Sequence, residues 1–158
     1  MHAQGEDTTP AQLIGLLAGE WSGTYRLWLE PGVLRTEGPS SLTARCQLRE
    51  RFVVLDYDWT DGDEPESGSI LVGHADDDVW QVAWIDTWHC GNSIMFCTGT
   101  GTGTSAIDVA GTYGPPDEPW RWRTTIDVSP HELVITAWNI TPSGESAKAT
   151  EAAYTRSA

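Results

Sequence analysis

The densest group of side chains capable of chemistry lies at residues 79–99, VWQVAWIDTWHCGNSIMFCTG. This stretch holds three of the nine tryptophans, one of the four histidines and two of the three cysteines. Asp86 precedes His89 by three positions, with Trp88 between them. A carboxylate beside an imidazole fixes the tautomer of the ring and raises its pKa, as acid–base catalysis requires. We therefore predict Asp86 and His89 as candidate catalytic residues.

The same side chains also permit other roles. In a purely structural interpretation, His89 caps a turn and Asp86 accepts hydrogen bonds from backbone amides. In a third interpretation, Cys97 is a nucleophile and His89, across a hairpin, is its base. A metal site is not predicted, because adjacent residues such as His89 and Cys90 point apart in an extended chain and zinc-type ligand spacing is missing.

A β-hairpin is the element that positions these residues. Residues 79–86 alternate in polarity, and so do residues 94–99, with Gly and Asn in the connection at 90–92. Two alternating runs joined by such a connection indicate a hairpin. The alternation predicts that Trp84 and Asp86 share one face of the first strand.

A second informative run is Trp-Arg-Trp-Arg at residues 120–123. Alternation puts the tryptophans on one face and the arginines on the other, and the pattern leaves open which face is internal. If Arg123 is internal, it would hold a carboxylate or phenolate group of a ligand. If it is external, it offsets the acidic surface.

Aromatic rings with a few polar anchors are typical of small-molecule pockets, and also of ordinary aromatic cores. We predict that the chain binds a small apolar or aromatic molecule inside a β-barrel; the alternative is an enzyme of cyclase, isomerase or hydrolase type that uses the same pocket. Tyr57 and Tyr113 could add to its floor and rim. The predicted ligand-binding residues are Tyr25, Trp84, Trp88, Met95, Cys97, Arg123 and Trp138.

One short helix is predicted, at residues 10–18. Thr9 can cap it, Pro10 occupies its first position, three leucines follow at helical spacing, and Gly19 ends it. Residues 1–9 are polar and are predicted to be flexible.

The remainder, residues 20–156, is predicted to form ten strands in a single domain. Strands at this regular spacing, with no alternating βαβ pattern, indicate an all-β antiparallel fold. A ten-stranded meander closes into a barrel because closure removes exposed edges. The predicted strands span residues 21–30, 41–49, 51–60, 67–75, 79–86, 94–99, 104–113, 120–128, 132–140 and 146–156.

The net charge of the chain indicates which classes of partner it can bind. Nine Lys plus Arg against 23 Asp plus Glu leave a formal net charge of -14, which repels nucleic acids and anionic membranes. No apolar run is long enough to span a bilayer, no signal-peptide pattern is present, and three scattered cysteines form no disulfide framework. We predict a cytoplasmic protein, with a homodimer through exposed tryptophans as a possible state.

The segment LAGEWSGTY at residues 17–25 resembles the Gly-x-Trp opening of the calycins, the lipocalins and fatty-acid-binding proteins. This resemblance implies that Trp21 closes one barrel end and stacks on an arginine of the last strand, which is Arg156 here. The Gly-x-Trp-x-Gly core also resembles nitrobindins, ten-stranded barrels that bind haem through a histidine near the end of the barrel sequence. Residues 146–156 contain no histidine, so we predict no haem and no other cofactor. His89 and His131 are the alternative histidines that could ligate a haem iron.

The whole pattern is more similar to an uncharacterised bacterial family of lipocalin-like domains. The resemblance runs from residue 17 to residue 156 and implies the barrel fold, with no established activity. Besides the opening segment, it rests on AWIDTWH at 83–89, MFC at 95–97, GTY at 111–113, WRT at 122–124, NITP at 139–142 and YTR at 154–156.

Overall fold

Turn-forming residues divide the chain into one helix and ten strands. The computed structural model describes residues 8–100 and 106–157. The elements are α1 (Pro10–Leu17), β1 (Gly19–Glu30), β2 (Val33–Gln47), β3 (Phe52–Asp61), β4 (Glu64–Ala75), β5 (Val79–Asp86), β6 (Met95–Thr100), β7 (Ala106–Tyr113), β8 (Trp120–Val128), β9 (Glu132–Ile140) and β10 (Ser146–Arg156).

The ten strands form a closed antiparallel barrel, as the strand count predicts. Each strand pairs with its neighbour in the chain, and β1 also pairs with β10 to close the ring. β5 and β6 form the predicted hairpin, with Trp84 opposite Met95. Among the described residues, closure leaves no strand with an unpaired edge, so every strand contributes one internal and one external face.

Helix α1 closes one end of the barrel. Thr9 and Gln12 form a reciprocal capping box at its start, as the sequence pattern indicates for Thr9. Its buried side chains, Leu13, Ile14 and Leu17, pack on the barrel core. The helix therefore acts as an apolar plug for that end.

Three strands begin earlier than predicted, β1 by two residues and two others by more. β2 begins at Val33 and β4 at Glu64, where the predictions place their first residues at 41 and 67. The added residues are mostly exposed and polar, and their backbones pair with β1 and β3. Backbone pairing needs no apolar side chain, so polarity patterns miss such extensions. Of the segment 1–9 that is predicted to be flexible, residues 1–7 lie outside the described residues, and so does the predicted strand start at 104.

The closed barrel decides the orientation of β8. Trp122, Thr124 and Ile126 are buried in the interior, so Arg121 and Arg123 point outward. The middle of the interior is filled by side chains, with a void of only about 10 Å³ between Tyr25, Tyr57 and their neighbours. Any internal site of useful size must therefore lie at an end of the barrel.

Candidate functional site

Asp86 is the last residue of β5, and its side chain is fully buried. Its Oδ1 atom accepts hydrogen bonds from three successive backbone N–H groups, those of Trp88 at 3.2 Å, His89 at 2.6 Å and Cys90 at 3.0 Å. Its Oδ2 atom lies 2.5 Å from Nδ1 of His89. One carboxylate thus fixes both the backbone after β5 and the imidazole ring.

The protonation of Asp86 follows from its contacts. Burial raises the pKa of Asp86, but the hydrogen bond and charge of His89 and the backbone amides lower it more, so the pKa lies below its usual value. Asp86 is therefore a carboxylate at neutral pH and can only accept hydrogen bonds. Nδ1 of His89 must then be the donor, and in the neutral ring Nε2 carries a free lone pair.

A cavity of about 190 Å³ lies beside this pair, at the barrel end opposite α1. Two of its wall residues carry a buried nitrogen, Nε2 of His89 and Nε1 of Trp122, that has no hydrogen-bond partner among the described residues. Buried polar groups are nearly always paired. Five buried side-chain atoms in the described part of the chain have no partner, and two of them belong to residues of this one wall. The wall consists of Trp84, His89, Cys90, Met95, Tyr113, Trp122 and Asn139.

Aromatic packing holds the two nitrogens in place. The His89 ring lies 5.2 Å from the ring of Trp122, measured between centroids, and the Trp84 ring meets Trp122 edge-on at 5.4 Å. Nε1 of Trp84 donates to the Tyr57 hydroxyl at 2.8 Å. The Tyr57 ring crosses Gly68 so closely that a Cβ there would lie 2.2 Å from its hydroxyl oxygen. The aromatic rings of the cavity wall are therefore held in fixed positions by their contacts.

The hairpin brings four of the predicted site residues together. Asp86 and His89 form the pair described above, and Trp84 and Met95 line the same cavity. Trp88 lies nearby but packs edge-on against Trp59, and the Arg35 guanidinium covers its ring at 4.8 Å. The grouping follows from the hairpin register, which places Trp84 opposite Met95.

Two other predicted residues lie inside the barrel but not on the cavity wall. Tyr25 is buried and stacks on Trp59 at 4.4 Å. Cys97 is buried with its Sγ atom 3.8 Å from the backbone oxygen of Trp122, and burial raises the pKa of its thiol to about 11. Such a thiol is protonated at neutral pH, which argues against Cys97 as a nucleophile.

Arg123 and Trp138 lie on the outer face, which corrects their assignment to the ligand pocket. The Arg123 guanidinium makes two hydrogen bonds to the Asp108 carboxylate, at 2.9 and 2.7 Å, and lies 5.0 Å from the Trp138 ring. The physical reason is the alternation of β8: because Trp122 is internal, its neighbour Arg123 must be external.

Three wall residues were missing from the predicted pocket, namely Cys90, Trp122 and Asn139. Trp122 and Asn139 lie opposite each other on β8 and β9. Both occur in the segments WRT and NITP that mark the family resemblance, and that signal could have pointed to them. Cys90 follows His89 directly and lines the wall because the chain turns there; burial, followed by the Asp86 charge, raises the pKa of its thiol to about 11.

The cavity does not suit a haem group. Its volume of about 190 Å³ is close to what a single aromatic ring needs, whereas a tetrapyrrole has four joined rings. Among residues 8–100 and 106–157, no group of three or more His, Cys, Asp or Glu side chains could hold a metal ion. The prediction that no cofactor is bound stays a prediction.

Comparison with known proteins places the chain in a family. A family model described as "Protein of unknown function (DUF1579)" matches residues 7–156, so the chain belongs to that family. A search of curated proteins finds no match. Within the described part of the chain, no helix is long and apolar enough to cross a membrane.

One solved structure shows the same fold. The crystal structure of Rv2717c from M. tuberculosis aligns with a TM-score of 0.69, covering 96% of this chain and 100% of that one. The two sequences are 13% identical, so the similarity concerns the fold alone.

Proposed function

We propose that the cavity beside His89 binds a small aromatic molecule that carries a hydroxyl group. The observation that carries the proposal is the pair of buried nitrogens, His89 Nε2 and Trp122 Nε1, that have no partner among the described residues. Leaving a buried polar group unpaired costs about 1–3 kcal/mol. A ligand that pairs with both would recover much of that free energy.

The size of the cavity favours one ring. An engineered apolar cavity of about 150 Å³ holds benzene, and drug-sized ligands occupy pockets above about 300 Å³. At about 190 Å³, the cavity suits a single ring with one or two small substituents. The edges and faces of Trp84 and Trp122 offer aromatic contacts to such a ring.

The two nitrogens favour a hydroxyl substituent. Nε2 of neutral His89 accepts a hydrogen bond, and Nε1 of Trp122 donates one. A hydroxyl group can donate to the first and accept from the second with a single oxygen atom. A ligand with only acceptors, or with no polar atom, would leave at least one nitrogen unpaired.

Calorimetric titration with phenol, and with toluene as a ligand of the same shape without the hydroxyl, tests the proposal. We expect saturable phenol binding at least tenfold tighter than toluene binding. His89→Asn keeps an amide N–H for Asp86 but removes Nε2, and it should weaken phenol binding about tenfold. Equal affinity for phenol and toluene, or no saturable binding of phenol, would contradict the proposal.

A matched control lies at the other end of the barrel. His74 also contacts a carboxylate, with Nε2 2.9 Å from Asp78, but that carboxylate is largely exposed. His74→Gln should leave phenol affinity unchanged. Trp122→Phe keeps an aromatic ring but removes the indole N–H, and we expect it to weaken phenol binding and to leave toluene binding nearly unchanged.

A second candidate function is acid–base catalysis at the same site. The observation that favours it is the Asp86–His89 contact, in which a buried carboxylate orients an imidazole toward base chemistry at Nε2. Cyclase, isomerase and hydrolase reactions all use such a base. Hydrolysis of 4-nitrophenyl acetate is a simple probe: we expect saturable turnover that His89→Asn abolishes and His74→Gln preserves. Equal rates in the wild type and His89→Asn would reject this candidate.

A further inference from the structure

We infer that the site takes its hydroxy-aromatic ligand as the anion, with the hydroxyl proton transferred to Nε2 of His89. This inference rests on the proposed function and narrows its ligand class to acidic phenols. The transfer breaks the ligand O–H bond and forms the Nε2–H bond, with no change in oxidation state. The total charge of the ligand and site together stays the same.

Asp86 is the reason that His89 can accept the proton. Its fully buried carboxylate contacts Nδ1–H, so the imidazolium that forms gains a charge-assisted hydrogen bond on that side. The phenolate lies on the other side. The new positive charge is therefore held between two negative groups, which favours the transferred state.

Asp86 is not itself available as the base. Its Oδ1 atom accepts three backbone N–H groups, and its Oδ2 atom accepts the Nδ1–H of His89. These bonds lower its pKa, which makes the carboxylate a weak proton acceptor. Their combined effect is to direct a ligand proton to Nε2 of His89.

The thiol and phenol groups around the pair are neutral at physiological pH. Burial, followed by the Asp86 charge, raises the pKa of the Cys90 thiol to about 11, and burial raises that of Tyr113 on β7. Tyr25 on β1 and Tyr57 on β3 feel the Asp86 charge, and burial raises both of their pKa values. Nearby Arg35 contacts the Trp88 ring and forms an ion pair with Asp61.

Trp122 completes the anion site. Its buried Nε1–H has no partner among the described residues, and a phenolate oxygen is a stronger acceptor than a neutral hydroxyl. An alcohol of similar size, such as benzyl alcohol, can form the same hydrogen bonds but is too weak an acid to give up its proton. The inference thus predicts that the site binds an acidic phenol more tightly than a less acidic alcohol of similar shape.

The experiment uses 4-nitrophenol, whose phenolate form has its own visible absorbance band, with the full-length protein. The band of the bound probe is followed as a function of pH and compared with that of the free probe. We expect the apparent pKa of the bound probe to fall by about one unit, a tenfold shift toward phenolate. This value belongs to the coupled probe and His89 together.

Variants assign the proton to His89. Bound 4-nitrophenol should titrate like the free probe, or at higher pH, in His89→Asn, whereas His74→Gln should behave like the wild type. 4-Nitrobenzyl alcohol, the non-acidic match, should compete at least tenfold less well than 4-nitrophenol. If His89→Asn loses all probe binding, the spectrum of the wild-type complex still decides the result.

The outcomes separate this inference from the proposed function. Saturable binding with an unchanged or raised pKa of the probe would overturn the transfer and leave the proposed function standing. A lowered pKa that persists in His89→Asn would also overturn it, because another group would then hold the proton. If neither phenol nor 4-nitrophenol binds saturably, both proposals fail.

Discussion

The two ends of the barrel use similar residue types in opposite ways. At the α1 end, Arg156 donates to the backbone oxygens of Leu16 at 2.6 Å, Ala18 at 2.7 Å and Pro130 at 2.8 Å, and its guanidinium lies 4.1 Å from the Trp21 ring. The pairing with Trp21 is the one that the calycin resemblance implies. The indole nitrogen of that ring is also bonded, to the oxygen of Leu17.

At the opposite end, His89 and Trp122 each keep a buried nitrogen without a partner among the described residues. The first end therefore shows how this fold closes when only stability is at stake: each guanidinium nitrogen of Arg156 and the indole nitrogen of Trp21 donates to a backbone oxygen. The second end shows closure in which two residues that line a small cavity each keep a buried nitrogen without a hydrogen-bond partner among the described residues. The difference identifies the second end as the better candidate for function.

The two His–Asp contacts repeat the contrast. The His74–Asp78 contact joins a partly exposed ring to an aspartate side chain that is 70% exposed, and solvent screens it. The His89–Asp86 contact joins its ring to a fully buried carboxylate. Only the second can hold its ring and tautomer firmly enough for chemistry or selective binding.

The largest expected effect on stability is at the α1 end. Arg156→Ala removes three hydrogen bonds to backbone oxygens and the contact with Trp21, and it should lower the free energy of unfolding by about 3 kcal/mol. Chemical denaturation measures this loss. Phenol affinity at a temperature where the variant is folded should not change, and a tenfold loss would show that the ends are not independent.

Asp86→Asn tests the other end. The amide oxygen of Asn can still accept the backbone N–H groups. Its N–H would donate to Nδ1 of His89, so the ring proton would move to Nε2, which could then no longer accept a hydrogen bond from phenol. We expect phenol binding to weaken at least tenfold, with about 2 kcal/mol lost from the free energy of unfolding because a charged acceptor is lost. Calorimetry and denaturation measure the two effects, and unchanged phenol affinity would count against the assigned tautomer.

The pH dependence of stability gives a finer test of Asp86. Its pKa is lowered in the folded protein, so the unfolded chain binds the proton more tightly. The stabilisation from the charged group is therefore complete above the unfolded pKa of about 4 and is lost as pH falls through the folded pKa. The stability difference between wild type and Asp86→Asn should shrink below about pH 4 in denaturation series; a difference that grows there would contradict the lowered pKa.

The smallest effect is expected on the outer face. Arg123 and Asp108 form an ion pair with side chains that are 43% and 44% exposed. Exposed pairs contribute about 0.5 kcal/mol, so Arg123→Ala should change stability little and phenol affinity not at all. A tenfold loss of phenol affinity in this variant would restore Arg123 to the site.

Much of the barrel was predictable because local patterns determine it. Alternation and turn residues define the strand sequence, and the Thr9 and Pro10 pattern defines the start of the helix. The pairing of Asp86 with His89 was also predictable, since both lie in one short connection next to a strand end. Their proximity is a local property of the chain and survives any arrangement of the other strands.

The rest of the site depended on closure of the sheet. Successive side chains of β8 point to opposite faces of the strand, but this alternation does not say which face is internal. The Trp-Arg-Trp-Arg run fits internal tryptophans as well as internal arginines. The closed barrel puts Trp122 inside and Arg123 outside, opposite Asn139 and Trp138 respectively. It also fills the centre of the interior and leaves the cavity at one end, beside the Asp86–His89 hairpin. The sequence by itself thus determined the order of the strands and the Asp86–His89 contact, whereas the tertiary structure decided which rings surround that pair, because those contacts join residues far apart in the chain.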